Sequence, residues 1–133
     1  FDDVFYVPHS RNTEVRAEDI ERIPQLEILT VSDISGVHIV ANKNGRQYFI
    51  TGHSEYDRDT IANEYKRDVA KGIDIQIPYN YFPDDDPNNV PLFSWRCTAN
   101  LMFSNWLNYC VYQKTPYNLE ELEVRNWNWE TSL

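Results

Sequence analysis

The segment Gln47-Tyr48-Phe49-Ile50-Thr51-Gly52-His53-Ser54-Glu55-Tyr56 sets a histidine and a glutamate two residues apart, just beyond an apolar run. In extended backbone, residues i and i+2 point to the same side. The His53 imidazole and the Glu55 carboxylate are therefore expected to face one site, at the carboxyl end of a strand where open α/β sheets bind ligands. An imidazole accepts protons near neutral pH, and a neighbouring carboxylate fixes its tautomer and stabilises its charged form. That is general-base chemistry, although spacing alone fits a polar surface turn equally well. The pair lacks a nucleophile. Cys97 lies near the start of a helix, whose dipole can lower a thiol pKa, but Trp95-Arg96 and Thr98-Ala99-Asn100 supply no base. An inert thiol fits better there, and Cys110, among apolar neighbours, is expected in the core.

Other polar residues carry weaker signals. Arg67 is expected on the helix after His53, where its planar fork could clamp a substrate carboxylate through two hydrogen bonds. Beside Lys66 and Asp68 it also fits a solvated surface position. His9-Ser10-Arg11 reads as loop polarity or a second substrate edge, and His38 as a half-buried structural residue inside a strand. His9 and His38 are not at ligand spacing to His53, so no metal is expected. Four scattered glycines form no phosphate loop.

These side chains need a scaffold. Val4-Phe5-Tyr6-Val7, stopped by Pro8, reads as a strand end or buried loop. Residues 17–23 read as a short helix ending near Pro24. Residues 26–31 read as a strand. Residues 37–51 read as a hairpin turning at Asn44-Gly45, which accepts positive φ. A helix is expected over 59–71, closed by Gly72, with Ile61, Tyr65 and Val69 on its apolar face. A long loop with Pro78, Pro83, Pro87 and Pro91 follows; loops of this length are usually functional or packed across a surface. A second helix is expected from Ser94 or Trp95 to Gln113, stopped by Pro116. The acidic tail from Asn118 carries Trp127 and Trp129.

Composition narrows the function classes. The 133 residues suffice for one core, and 41% are apolar and 14% aromatic, so the chain is expected to fold. With 12 basic against 21 acidic residues, net −9, neither nucleic acid nor an anionic membrane is expected as main partner. No apolar run approaches the ~20 residues that span a bilayer. With no charged-then-apolar stretch in view, secretion is not expected. Cys97 and Cys110, on one helix, would stand roughly 20 Å apart at ~1.5 Å per residue, too far for a disulfide. Two free thiols suit a reducing cytoplasm. The chain opens at Phe1, and its only methionine is Met102; it is expected to be processed, a fragment, or part of a larger enzyme.

Five blocks then converge: Phe5-Tyr6-Val7-Pro8-His9-Ser10-Arg11; Thr51-Gly52-His53-Ser54-Glu55-Tyr56-Asp57; Pro78-Tyr79-Asn80-Tyr81-Phe82-Pro83 with Asp86-Pro87; Ser94-Trp95-Arg96; and Asn105-Trp106-Leu107-Asn108-Tyr109 with Val111-Tyr112-Gln113 and Thr115-Pro116-Tyr117. In this order they resemble the homoserine O-acyltransferases of methionine biosynthesis, in the branch with a class I glutamine amidotransferase-like fold. The resemblance implies a three-layer, flavodoxin-like α/β domain, of which residues 1–117 are the C-terminal portion and 118–133 a tail. It implies acyl transfer from acyl-CoA to the γ-hydroxyl of L-homoserine through a cysteine thioester. His53 matches the family's catalytic histidine, Glu55 the supporting glutamate, and Arg67 the arginine that holds the homoserine carboxylate. The matching nucleophile is neither Cys97 nor Cys110. It would belong to a missing N-terminal half, together with the oxyanion hole and a substrate-binding lysine, so this polypeptide alone is expected to be inactive. An open sheet edge would also leave it poorly soluble. Acyl-CoA is a co-substrate and no further cofactor is implied. The donor is acetyl-CoA, the commoner choice in the family, or succinyl-CoA. A homodimer in the cytoplasm is implied. A glutaminase of the same fold would use a Cys-His-Glu triad but leaves Arg67 and the Pro78–Pro83 and Asn105–Tyr109 blocks unexplained. A non-catalytic interaction module would leave His53 dispensable.

Overall fold

The computed structural model describes residues 1–116 and 118. The remainder of the tail, with Trp127 and Trp129, lies outside the described residues, as does Tyr117. In chain order the elements are α1 (Ala17–Glu21), β1 (Leu26–Ser32), β2 (Gly36–Asn42), β3 (Tyr48–Ile50), α2 (Thr60–Ala70) and α3 (Arg96–Asn105). A three-residue helical turn at Pro83–Asp85 precedes α3, and a π-helical stretch at Trp106–Tyr112 continues it.

The strands form one antiparallel sheet in the order β1-β2-β3. Val40 pairs with Phe49 and Ala41 with Tyr48, so the hairpin expected over 37–51 forms. Gly45 supplies its turn at φ 72°. The central strand β2 is buried along its length, whereas β1 alternates half-buried with exposed positions, as an edge strand with one packed face should. Val37 and Val40 pack with Ile20 of α1. Helix α1 stops at Glu21 rather than Ile23, because a residue before proline is pushed out of helical geometry. Ile23 is consequently exposed.

A second core joins α2 to the proline-rich loop. Ile61 and Ala62 pack on Tyr81, Phe82 and Trp95, with Tyr56, Tyr65 and Phe93 at the margin. Tyr81 does what a buried phenol must: it accepts from the Ala62 amide (3.2 Å) in the open first turn of α2 and donates to the Arg58 carbonyl. The loop thus lies across a helix face, as its length and aromatic content suggest. At its other end α2 closes with Gly72 at φ 73°. The Gly72 amide bonds to the Val69 carbonyl (2.9 Å) and the Ile73 amide to Asp68 (3.0 Å), the paired bonds of a Schellman stop.

Four sequence expectations change. Residues 4–7 form no strand; Phe5 and Val7 are half-buried while Val4 and Tyr6 are exposed. Val69 is exposed, so the packed face of α2 ends one turn early. The second helix is not uniform: beyond Asn105 it widens, and the Gln113 amide reaches the Asn108 carbonyl five residues back (3.1 Å). Cys110 falls in this widened turn, half-buried against Tyr48 rather than sealed in the core.

Candidate functional site

The sequence predicts that His53 and Glu55 share a side, and they meet. His53 Nδ1 lies 2.8 Å from Glu55 Oε1. The route differs from the expected one. The Tyr56 amide bonds back to the His53 carbonyl (3.1 Å), so residues 53–56 turn, and the pair closes across that turn rather than along extended backbone. The strand feeding it, β3, ends an antiparallel meander. The Tyr56 ring lies flat on the imidazole, with centroids 4.4 Å apart and planes at 13°. The Tyr56 carbonyl accepts from the Trp95 indole (2.9 Å), which ties the turn to the second core. The His53 amide donates to the Pro8 carbonyl (2.8 Å), which ties it to the amino-terminal segment.

Electrostatics follow from this geometry. Burial pushes the Glu55 carboxyl upward, but the hydrogen bond and charge interaction with His53 outweigh it and hold its pKa below the ordinary value. Glu55 is thus an anion at neutral pH, fit to accept the Nδ1 proton. With Nδ1 engaged by Glu55, Nε2 is the ring position left for a second donor or acceptor. Burial, with the nearby Glu64 and Glu55 carboxylates, raises the Tyr56 phenol.

Arg67 lies on α2 and makes a forked contact with its neighbour: Nε to Asp68 Oδ1 at 2.7 Å and Nη2 to Asp68 Oδ2 at 2.9 Å. Its side chain is about half exposed. Among the described residues the structure links it to the histidine through intermediaries. Glu64, one turn earlier on α2, accepts from Ser10 Oγ (2.7 Å) and faces the Tyr56 hydroxyl at 3.5 Å. Tyr56 in turn covers His53. Glu64, whose charge also acts on Arg67, and Tyr56 thus connect the two residues; neither was singled out from sequence. For Glu64 the signal was present in spacing: it precedes Arg67 by three positions, which places both on one helix face.

The remaining histidines are closer than sequence suggests. His38 is almost fully buried (3% exposed), not half-buried. His9 meets it edge-on at 5.3 Å, and burial lowers the pKa of both. Cys97 is exposed in the first turn of α3. Among the described residues no group of three or more His, Cys, Asp or Glu is arranged to hold a metal, and no helix is long and apolar enough to cross a membrane.

A family model described as homoserine O-succinyltransferase matches residues 1–117. Among curated proteins, the chain is 63% identical over 119 residues to a homoserine O-acetyltransferase of Brevibacillus brevis, covering 90% of this chain and 39% of that protein. It is 62% identical over 125 residues to one of Desulfitobacterium hafniense (94% and 41%). A third, of Thermotoga neapolitana, is 60% identical over 121 residues (91% and 40%). The chain spans about two fifths of the length of these curated relatives.

Proposed function

The chain belongs to the homoserine O-succinyltransferase family, and from that premise we propose that it forms part of a longer enzyme that transfers an acyl group from acyl-CoA to the hydroxyl of L-homoserine in methionine biosynthesis. The observation that carries this reading is the 2.8 Å pairing of His53 with Glu55, a base with its orienting carboxylate and no nucleophile beside it.

The steps follow from that arrangement. A cysteine thiol outside this chain gives its proton to His53 Nε2, and the thiolate attacks the thioester carbonyl of acyl-CoA. The CoA thiolate leaves, taking up the proton, and an acyl-cysteine remains. His53 then takes the proton of the homoserine hydroxyl as its oxygen attacks the acyl-cysteine. The ester departs and the cysteine recovers its proton. Glu55 holds Nδ1–H throughout and stabilises the imidazolium between transfers. Arg67 receives the homoserine carboxylate, exchanging Asp68 for the substrate in the same forked geometry. Acetyl-CoA is the favoured donor, because the curated relatives at about 60% identity carry that name; succinyl-CoA is the alternative. No cofactor beyond this co-substrate is invoked.

On this reading residues 1–117 are the C-terminal portion of the catalytic domain and 118–133 a tail. The remaining portion extends the three-stranded sheet into a three-layer, flavodoxin-like domain of the class I glutamine amidotransferase type. Exposed Leu29, Val31, Phe49 and Ile50 on the edge strands support such an extension. The whole enzyme is taken to be a cytoplasmic homodimer.

The decisive experiment incubates the full-length enzyme with acetyl-CoA in the absence of homoserine and weighs the protein intact. A covalent acetyl adduct that homoserine discharges is expected. Ammonia release from glutamine, without an adduct, would replace this reading with a glutaminase. The 133-residue polypeptide by itself is expected to give no turnover.

A further inference from the structure

Gly52 lies where no side chain fits. A Cβ there would stand 2.9 Å from both Cε1 and Nδ1 of His38 and 2.9 Å from Nε2 of His9. Those atoms belong to packed rings, not to the ends of flexible chains. His9 and His38 meet edge-on, 5.3 Å between centroids and 72° between planes, and the Phe5 ring backs His38 at 5.9 Å. The backbone on either side of Gly52 is pinned by the same two segments. The Thr51 amide bonds to the carbonyl of His38 itself (2.9 Å), and the His53 amide bonds to Pro8, the residue before His9 (2.8 Å).

We propose that His9 and His38 are positioning residues that close on the bare Cα of Gly52 and thereby set the angle from which the His53 ring projects toward Glu55. The inference rests on the acyl-transfer reading only in taking His53 as the base. Two features argue for it. First, none of the four ring nitrogens of His9 and His38 has a hydrogen-bond partner among the described residues, although all four are buried. Burying unpaired polar atoms is costly, so their placement is set by packing and not by polar pairing. Second, both rings stay uncharged near neutral pH: burial disfavours the proton, and His9 and Arg11 add repulsion at His38, as Arg11 and His53 do at His9. A rigid neutral wedge fixes the turn without placing a fixed charge beside a histidine that must itself become charged.

The test is a double-mutant cycle in the full-length enzyme. Gly52→Ala is expected to lower kcat about tenfold or more while KM for homoserine changes by less than about threefold, because the forked arginine is untouched. Adding His38→Ala removes one of the two rings the methyl meets, with His9 Nε2 remaining, so the double variant should exceed Gly52→Ala in kcat while staying below the wild type and below His38→Ala alone. Wild-type kcat in Gly52→Ala, or effects that simply multiply, would overturn the proposal. A readout that needs no substrate is the His53 tautomer from 15N shifts, with circular dichroism to confirm folding. Protonation at Nδ1 is expected in the wild type and a mixture in Gly52→Ala; an unchanged tautomer overturns the proposal. If Gly52→Ala does not fold, His9→Ala serves in the same measurement and should likewise mix the tautomers. A wild-type enzyme with the expected tautomer but no homoserine acylation would overturn the acyl-transfer reading alone.

Discussion

His53 and Arg67 each rest against a neighbouring carboxylate at nearly the same distance, 2.8 Å to Glu55 and 2.7 Å to Asp68. The surroundings could hardly differ more. The histidine sits on a turn bonded to Pro8, covered by the Tyr56 ring, tied to Trp95 and seated above Gly52 and two buried imidazoles. The arginine reaches from the exposed side of α2 to its own sequence neighbour. Equal contact lengths thus mark unequal constraint. On the proposed reading the base is held in advance of any substrate, as proton transfer within a fixed geometry requires. The proposed clamp is held by its sequence neighbour alone, a contact that a substrate carboxylate could replace.

The most direct way to break this contrast is to remove each side chain from the full-length enzyme and compare the kinetic parameters. His53→Ala is expected to lower kcat about a thousandfold, the range of a lost general base, with KM for homoserine little changed. Arg67→Ala should act chiefly on KM. Steady-state rates with homoserine varied at saturating acyl-CoA decide it. A His53→Ala enzyme with near-normal kcat would make this region an interaction surface rather than a catalytic one.

A smaller effect isolates the histidine end of the molecule. The native His38 ring binds its proton with a pKa lowered to about 4, against 6.5 for a solvated histidine. Between those values the unfolded chain takes up a proton that the native state refuses. Stability is therefore complete above pH 6.5, falls as pH drops toward 4, and levels off below it. Each pH unit in that window removes about 1.4 kcal/mol, so the drop from 6.5 to 5 is about 2 kcal/mol. His9 adds in the same direction. The groups facing His38 are His9 and Arg11, with the Phe5 ring behind. Urea midpoints at pH 7 and pH 5, wild type against His38→Leu, should show a shallower acid loss in the variant. Equal losses would mean that His38 titrates as a solvated residue does.

The same two regions differ in how far the sequence reveals them. The apolar runs flanking Asn44-Gly45 locate the hairpin, and Gly72 locates the end of α2, because these signals lie within a few residues of what they control. The meeting of His53 with Glu55 is local in the same way, even though a turn rather than a strand achieves it. The imidazole pair is not. His9, His38 and Gly52 are far apart in the chain, and neither periodicity nor composition says that three such segments converge. His38 therefore reads as half-buried and His9 as loop polarity until the fold places both under the turn. The widening after Asn105 is hidden for another reason: one extra residue per turn barely disturbs the apolar spacing that marks a helix.

The least constrained contact yields the smallest and most discriminating effect. Asp68 occupies the Nε/Nη2 side of the Arg67 guanidinium, so on the proposed reading homoserine competes there with a carboxylate held at high local concentration. Arg67 is exposed and Asp68 partly so, and pairs at the surface are weak, which makes the displacement easy but not free. Asp68→Asn should therefore lower KM for homoserine by about two- to fivefold, since an amide competes less well for a guanidinium. Arg67→Lys should raise it about tenfold, because a point charge cannot reproduce the planar two-bond grip. kcat should stay within about threefold in both, as neither change reaches the turn that carries His53. Opposite shifts in KM at steady kcat would establish Arg67 as a clamp that Asp68 holds in reserve. Parallel losses in both variants would instead make the Arg67–Asp68 pair a structural brace of α2, leaving homoserine to be gripped elsewhere.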